Sequence, residues 1–148
     1  MSQKEKIFRD FTTAIGSFYL ILIAIFYRIN ASLSDISLHR WIVCCNWALL
    51  GLAYTAFYWG FKFEIKPNDL SEEDGKIPTH IYNLVFNFIL AMAITSLIYL
   101  MYYKTLRDMP INLFKLLSAF LFFYVGHTIE SVREKLLGDW RKKEQRKN

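Results

Sequence analysis

His127 and Glu130 stand three residues apart, a spacing that places both side chains on one face of a helix. A histidine beside a carboxylate is the beginning of a helical metal centre or a proton relay. A carboxylate-bridged centre needs a second such motif and further glutamates from facing helices, and the chain supplies neither in one copy. The other histidines, His39 and His80, are far off in sequence, so no second histidine faces His127 at a depth that would hold a haem. HExxH, G-x-S-x-G and the glycine-rich phosphate loops are absent. The expectation is a protein that is not an enzyme, with no metal and no cofactor. His127 and Glu130 read as an interfacial pair, with a relay or gate as the alternative.

The remaining polar groups of interest are amides and hydroxyls set in long apolar runs. In Ile81 to Tyr103, every fourth residue gives Asn83, Asn87, Ala91, Thr95 and Tyr99, a small and polar stripe on an otherwise greasy helix. Such a stripe faces protein rather than lipid. Asn46 is the lone amide of the preceding run, and inside hydrocarbon it requires a partner. Depth points to Thr95, Ser96 or a copy of Asn46 in a neighbouring subunit. Asn46, Asn83, Asn87, Thr95 and Ser96 are therefore expected to serve helix packing or gating. Cys44, Ala48, Ala56 and Gly60 form a second seam, and Thr13, Gly16, Ser17 and Ala24 a third. The adjacent Cys44 and Cys45 read as small packing residues.

The elements that carry these residues are long apolar runs. The chain is 54% hydrophobic and 18% aromatic yet 21% charged, which is possible only if the charges are segregated. They gather at the ends and in short interruptions, leaving spans of about 11–29, 41–61, 81–103 and 109–129. A helix of 23 residues at about 1.5 Å per residue crosses the roughly 30 Å hydrocarbon core. The fold class expected is an all-α membrane protein, four transmembrane helices in a bundle, residues 1–129, followed by a basic amphipathic tail, residues 130–148. The basic start precedes an apolar run with no small-residue cleavage site, so the first run is read as a retained span. Of the 18 Lys and Arg residues, only Arg28, Arg40, Lys104, Arg107 and Lys115 fall on the far side, so both termini are expected in the cytoplasm, or on the equivalent side in an organelle, with the cell inner membrane as the expected location.

Between the spans the chain offers little. The 62–80 loop carries Glu72, Glu73 and Asp74, but the EF-hand register fails, because Leu70 and Ile81 would occupy the first and twelfth ligand positions. Pro67 and Pro78 bracket this loop, and Asn68 or Asp69 can cap a short helix within it that Gly75 ends. Lys115 lies one turn into the fourth span and snorkels to the interface. No break is expected from there to Gly138, so the fourth helix runs out of the membrane as a tail. There Ile129, Val132, Leu136 and Trp140 form an apolar stripe, followed by Arg141, Lys142 and Lys143, a surface for docking lipid or a protein.

The partners expected are the lipid bilayer, further copies of the chain and a cytosolic protein bound through the tail, with no direct contact to nucleic acid. The function expected is a non-enzymatic oligomer that docks this partner or opens a triggered pore. Four-helix membrane subunits of this size occur in two-gene bacterial antiphage defence systems, Kiwa-type ones included, and the chain is similar to them in architecture alone. A small transporter, an immunity-type protein against a pore-forming toxin, and a haem or redox subunit are the alternatives. The absence of an internal Asp or Glu in the spans, or of a mid-span Pro, gives little for ion-coupled transport.

Overall fold

A computed structural model describes residues 3–62, 70 and 75–147, with side chains described as far as residue 136. The described residues form five helices and no strand: α1 Gln3–Ala31, α2 Ile36–Gly60, α3 Ile77–Met101, α4 Tyr103–Asp108 and α5 Ile111–Lys147. Four stretches, α1, α2, α3 and Ile111–Leu136 of α5, are long and apolar enough to cross a membrane. The short helix expected in the 62–80 loop lies outside the described residues.

The helix ends extend beyond the uncharged runs, since charged residues are good helix formers once a chain leaves the apolar zone. The link between the first two spans is shorter than expected. Asp35 caps α2, its carboxylate accepting from the backbone N–H of Ser37 at 2.8 Å and of Leu38 at 3.4 Å. Residues 36–40 are thus the first turns of α2, ahead of the span expected from residue 41. Pro78 sits in the first turn of α3, where its missing N–H costs nothing. The link after α3 contains the one-and-a-half-turn helix α4. Pro110 then opens α5, its carbonyl accepting from Phe114 N–H at 2.9 Å. Gly138 does not interrupt α5, which runs 37 residues, about 55 Å at about 1.5 Å per residue.

The bundle is built on α2, which packs against α1, α3 and α5. Its tightest crossing is with α5 at Gly51 and Gly126. A methyl group on Gly126 would collide with the carbonyl of Ala48, and one on Gly51 with the carbonyl of Phe123. Backbone contact of this kind lets dispersion and polar contacts hold helices together in a solvent that supplies no hydrophobic drive. The seam on α2 is confirmed at Cys44, Ala48 and Gly60, all buried, while Gly51 was not among the expected members. On α1, Gly16 is buried beneath the ring of Phe57, 2.9 Å from where a Cβ would stand, whereas Ser17 and Ala24 are exposed. Cys44 and Cys45 are free and buried, as packing residues are.

Every fourth residue of α3 faces the bundle, with Ala91, Thr95 and Tyr99 buried and Asn83 and Asn87 half-buried. The opposite side presents Ile81, Val85, Ile89, Leu97 and Leu100 outward. Lys115 is also exposed on the outside of the bundle.

Candidate functional site

The polar groups collect at two opposite ends. At the hairpin end, where the links 32–35 and 102–110 lie, most are consumed by internal bonds, although Asn30 Oδ1 is buried there without a hydrogen-bond partner. At the tail end, where α5 continues past the other helices, they line a cavity.

The hairpin end is organised by Arg40, which is 9% exposed. Its Nη1 donates to the carbonyls of Leu106 at 2.6 Å and Met109 at 2.7 Å, and its guanidinium stands 4.7 Å from the centre of the Phe114 ring. Carbonyls at the end of α4 have no helical partner of their own, and a cation satisfies them best. Tyr99 donates to the Ser37 carbonyl at 2.8 Å, the hydroxyls of Ser37 and Tyr103 share a bond of 2.8 Å, and the Trp41 indole donates to Ser96 Oγ at 3.0 Å. The bond with Ser37, and secondarily that with Arg107, lowers the Tyr103 phenol from its ordinary pKa, since both favour the phenolate.

The tail-end cavity has a volume of about 100 Å³ and takes side chains from all four spanning helices. Thr12 and Tyr19 come from α1, Thr55 and Trp59 from α2, His80, Asn83 and Asn87 from α3, and Glu130, Arg133 and Glu134 from α5. The recurrence at three and four residues on each helix means that one face of every helix points here. Arg133, 7% exposed, donates from Nη1 to Asn87 Oδ1 at 3.1 Å, and its Nη2 lies 3.6 Å from Glu130. Tyr19 donates to the Leu84 carbonyl at 3.0 Å, tying α1 to α3. At the rim the His80 ring is stacked on Phe11, 5.7 Å between centres, and tilted against Phe8. Lys4 donates to the Leu70 carbonyl at 3.0 Å.

Several expected pairings are rearranged. Asn46 and Thr95 do not bond, because Asn46 Oδ1 and Thr95 Oγ1 are both buried without a hydrogen-bond partner. Ser96 is occupied by Trp41 instead. Asn83 and Asn87 both line the cavity, and Asn87 accepts from Arg133, which a count of charges uses only as a topology marker. His127 and Glu130 have separate settings: His127 Nδ1 pairs with Thr55 Oγ1 at 3.0 Å and its ring stacks on Phe123, while Glu130 lines the cavity beside Arg133.

The apolar stripe on α5 is likewise divided. Ile129 is 1% exposed and belongs to the core with Leu49, Leu52 and Val125, so it cannot meet a partner. Val132 is half-buried and Leu136 is 59% exposed. The side chains of Trp140, Arg141, Lys142 and Lys143 lie outside the described residues. Asn30, within an N-glycosylation pattern, is buried at 5% and closed to a glycan. Among the described residues no group of three or more His, Cys, Asp or Glu side chains could hold a metal ion. Compared with protein-family models, curated proteins and solved structures, the chain has no significant match in any of the three.

Proposed function

We propose that this chain is a non-enzymatic, oligomeric protein of the bacterial inner membrane, both termini cytoplasmic, that docks a cytosolic partner through the C-terminal part of α5 and transmits that contact into the bundle. The observation that carries the reading is the continuity of α5. One unbroken helix holds the core residue Ile129, the cavity residue Arg133 and the basic segment up to Lys147. A rigid helix displaced at one end must move at the other, so a load on the tail acts directly on the contact between Arg133 and Asn87.

Docking is favoured over a pore through a single chain. Beyond the cavity Tyr19, Leu49, Leu52, Ala53, Val125 and Ile129 close the core, and the Gly51–Gly126 crossing leaves no slack. A triggered pore, if one forms, would lie between copies. Helix count and size are those of the membrane subunits of two-gene antiphage systems, and we propose that setting for the docking event.

Truncation after Leu136 tests the reading. It spares Arg133, and the shortened chain should insert and remain helical while failing to recover any protein that the full chain recovers from native membranes. Equal recovery by both chains would refute tail docking. A strictly monomeric particle in detergent would refute the oligomer.

A further inference from the structure

Arg133 combines deep burial with sparse bonding. Its side chain is 8% exposed, yet the structure gives its fork of N–H donors one hydrogen bond, to Asn87, and Glu130 at 3.6 Å stands just outside hydrogen-bond reach. A desolvated guanidinium at the end of a membrane span requires more acceptors than that. The cavity beside it has room for them, at about 100 Å³. Asn83, on the same wall, makes no hydrogen bond among the described residues. On the opposite sign, Glu134 is exposed at the mouth with no ion pair among the described residues, and the ring of Trp59 completes that edge. Trp59 already holds one ammonium, that of Lys62, 4.8 Å from the ring centre, so its π surface is placed to receive cations.

The charges at this site decide what fits. Glu130 and Glu134 outnumber Arg133, which disfavours a simple anion, and the donors of Arg133, Asn83 and Asn87 disfavour a simple cation. A molecule carrying both signs satisfies both walls. We propose that the cavity binds a small ammonium–oxyanion zwitterion of the phosphoethanolamine class, its oxyanion on Arg133, Asn83 and Asn87 and its ammonium against Glu134 and Trp59. Two sources supply this chemistry, a phospholipid headgroup and a free solute. The cavity's position at the ends of the spanning helices makes both reachable. Because Arg133 and Glu134 are on α5, occupancy bears on the same helix as the proposed partner, but the site stands whether or not a partner docks.

The test titrates the full chain in detergent, by calorimetry, with short-chain phosphatidylethanolamine, short-chain phosphatidylglycerol and free phosphoethanolamine. A zwitterion should bind and the anionic lipid should bind at least about tenfold more weakly. Asn83→Leu should weaken the zwitterion about tenfold through loss of a hydrogen bond to a charged group. Glu134→Gln should weaken it and narrow its advantage over the anionic lipid. Both positions lack internal partners, so the fold survives, which circular dichroism checks. Binding of phosphoethanolamine as tight as that of the lipid assigns a soluble source; binding of the lipid alone assigns the bilayer. Equal affinity for the two lipids, no binding by either zwitterion, or affinity unchanged in both variants would overturn the proposal.

Discussion

Arg40 and Arg133 are two buried arginines of one small bundle, and they do opposite things. Arg40 makes two short bonds to backbone carbonyls and lies over an aromatic ring; Arg133 makes one bond of 3.1 Å to an amide, pairs with Glu130 at 3.6 Å and otherwise faces open space. Burial is nearly equal, 9% against 7%, so burial alone does not separate a structural cation from a functional one. What separates them is how much of the guanidinium's bonding capacity is used. The hairpin end spends most of its polar groups on internal bonds and leaves only an apolar hollow beside Trp41 and Tyr103, whereas the tail end leaves a polar cavity beside a long lever.

That contrast can be broken in stages. The largest effect belongs to the pivot between the two ends, where Gly126→Val should drive a side chain into the backbone of α2 and destabilise the bundle by about 3 kcal/mol or more, read as lost resistance to denaturing detergent. Arg40→Leu comes next. It strands two carbonyls that now accept from a cation and should cost about 2 to 3 kcal/mol in the same assay. Arg133→Met should cost only about 1 kcal/mol, because it removes one bond and leaves a half-exposed Glu130 that the cavity can hydrate. A cost for Arg133→Met equal to that for Arg40→Leu would erase the distinction. The smallest change, Trp41→Phe, removes the indole bond to Ser96 and should cost about 0.6 kcal/mol, near the average for interhelical polar contacts in membranes.

Much of this architecture is readable from local pattern. The spans follow from uninterrupted apolar runs, and the inward face of α3 follows from a period of four, since each residue of that stripe obeys the geometry of its own helix. The parts that were not legible depend on other helices. Gly51 as a crossing point needs a neighbour in space to be distinguished from an ordinary glycine, whereas the Asp35 cap is a local bond to Ser37 and Leu38 of its own helix. The arginines are the sharpest case. Counting Lys and Arg uses Arg40 and Arg133 as topology markers, and nothing local says that one meets carbonyls 66 and 69 residues away and the other an amide 46 residues away. Asn83 and Asn87 belong to the stripe by their spacing of four, and the cavity is what that stripe meets at the tail end. Spacing alone places Ile129 on the exposed stripe and cannot reveal that the core reaches the last residue of the apolar run on α5.

The central claim is that the tail end is hydrated and the hairpin end is dry. Thiol labelling measures this directly. In a background of Cys44→Ala and Cys45→Ala, Asn83→Cys on the cavity wall and Ser118→Cys, a position of 0% exposure on α5, are exposed to a water-soluble, membrane-impermeant maleimide in native membranes opened to both sides. The account predicts rapid labelling at position 83 and protection at position 118. Protection at both positions, or labelling at 118 alone, would contradict it.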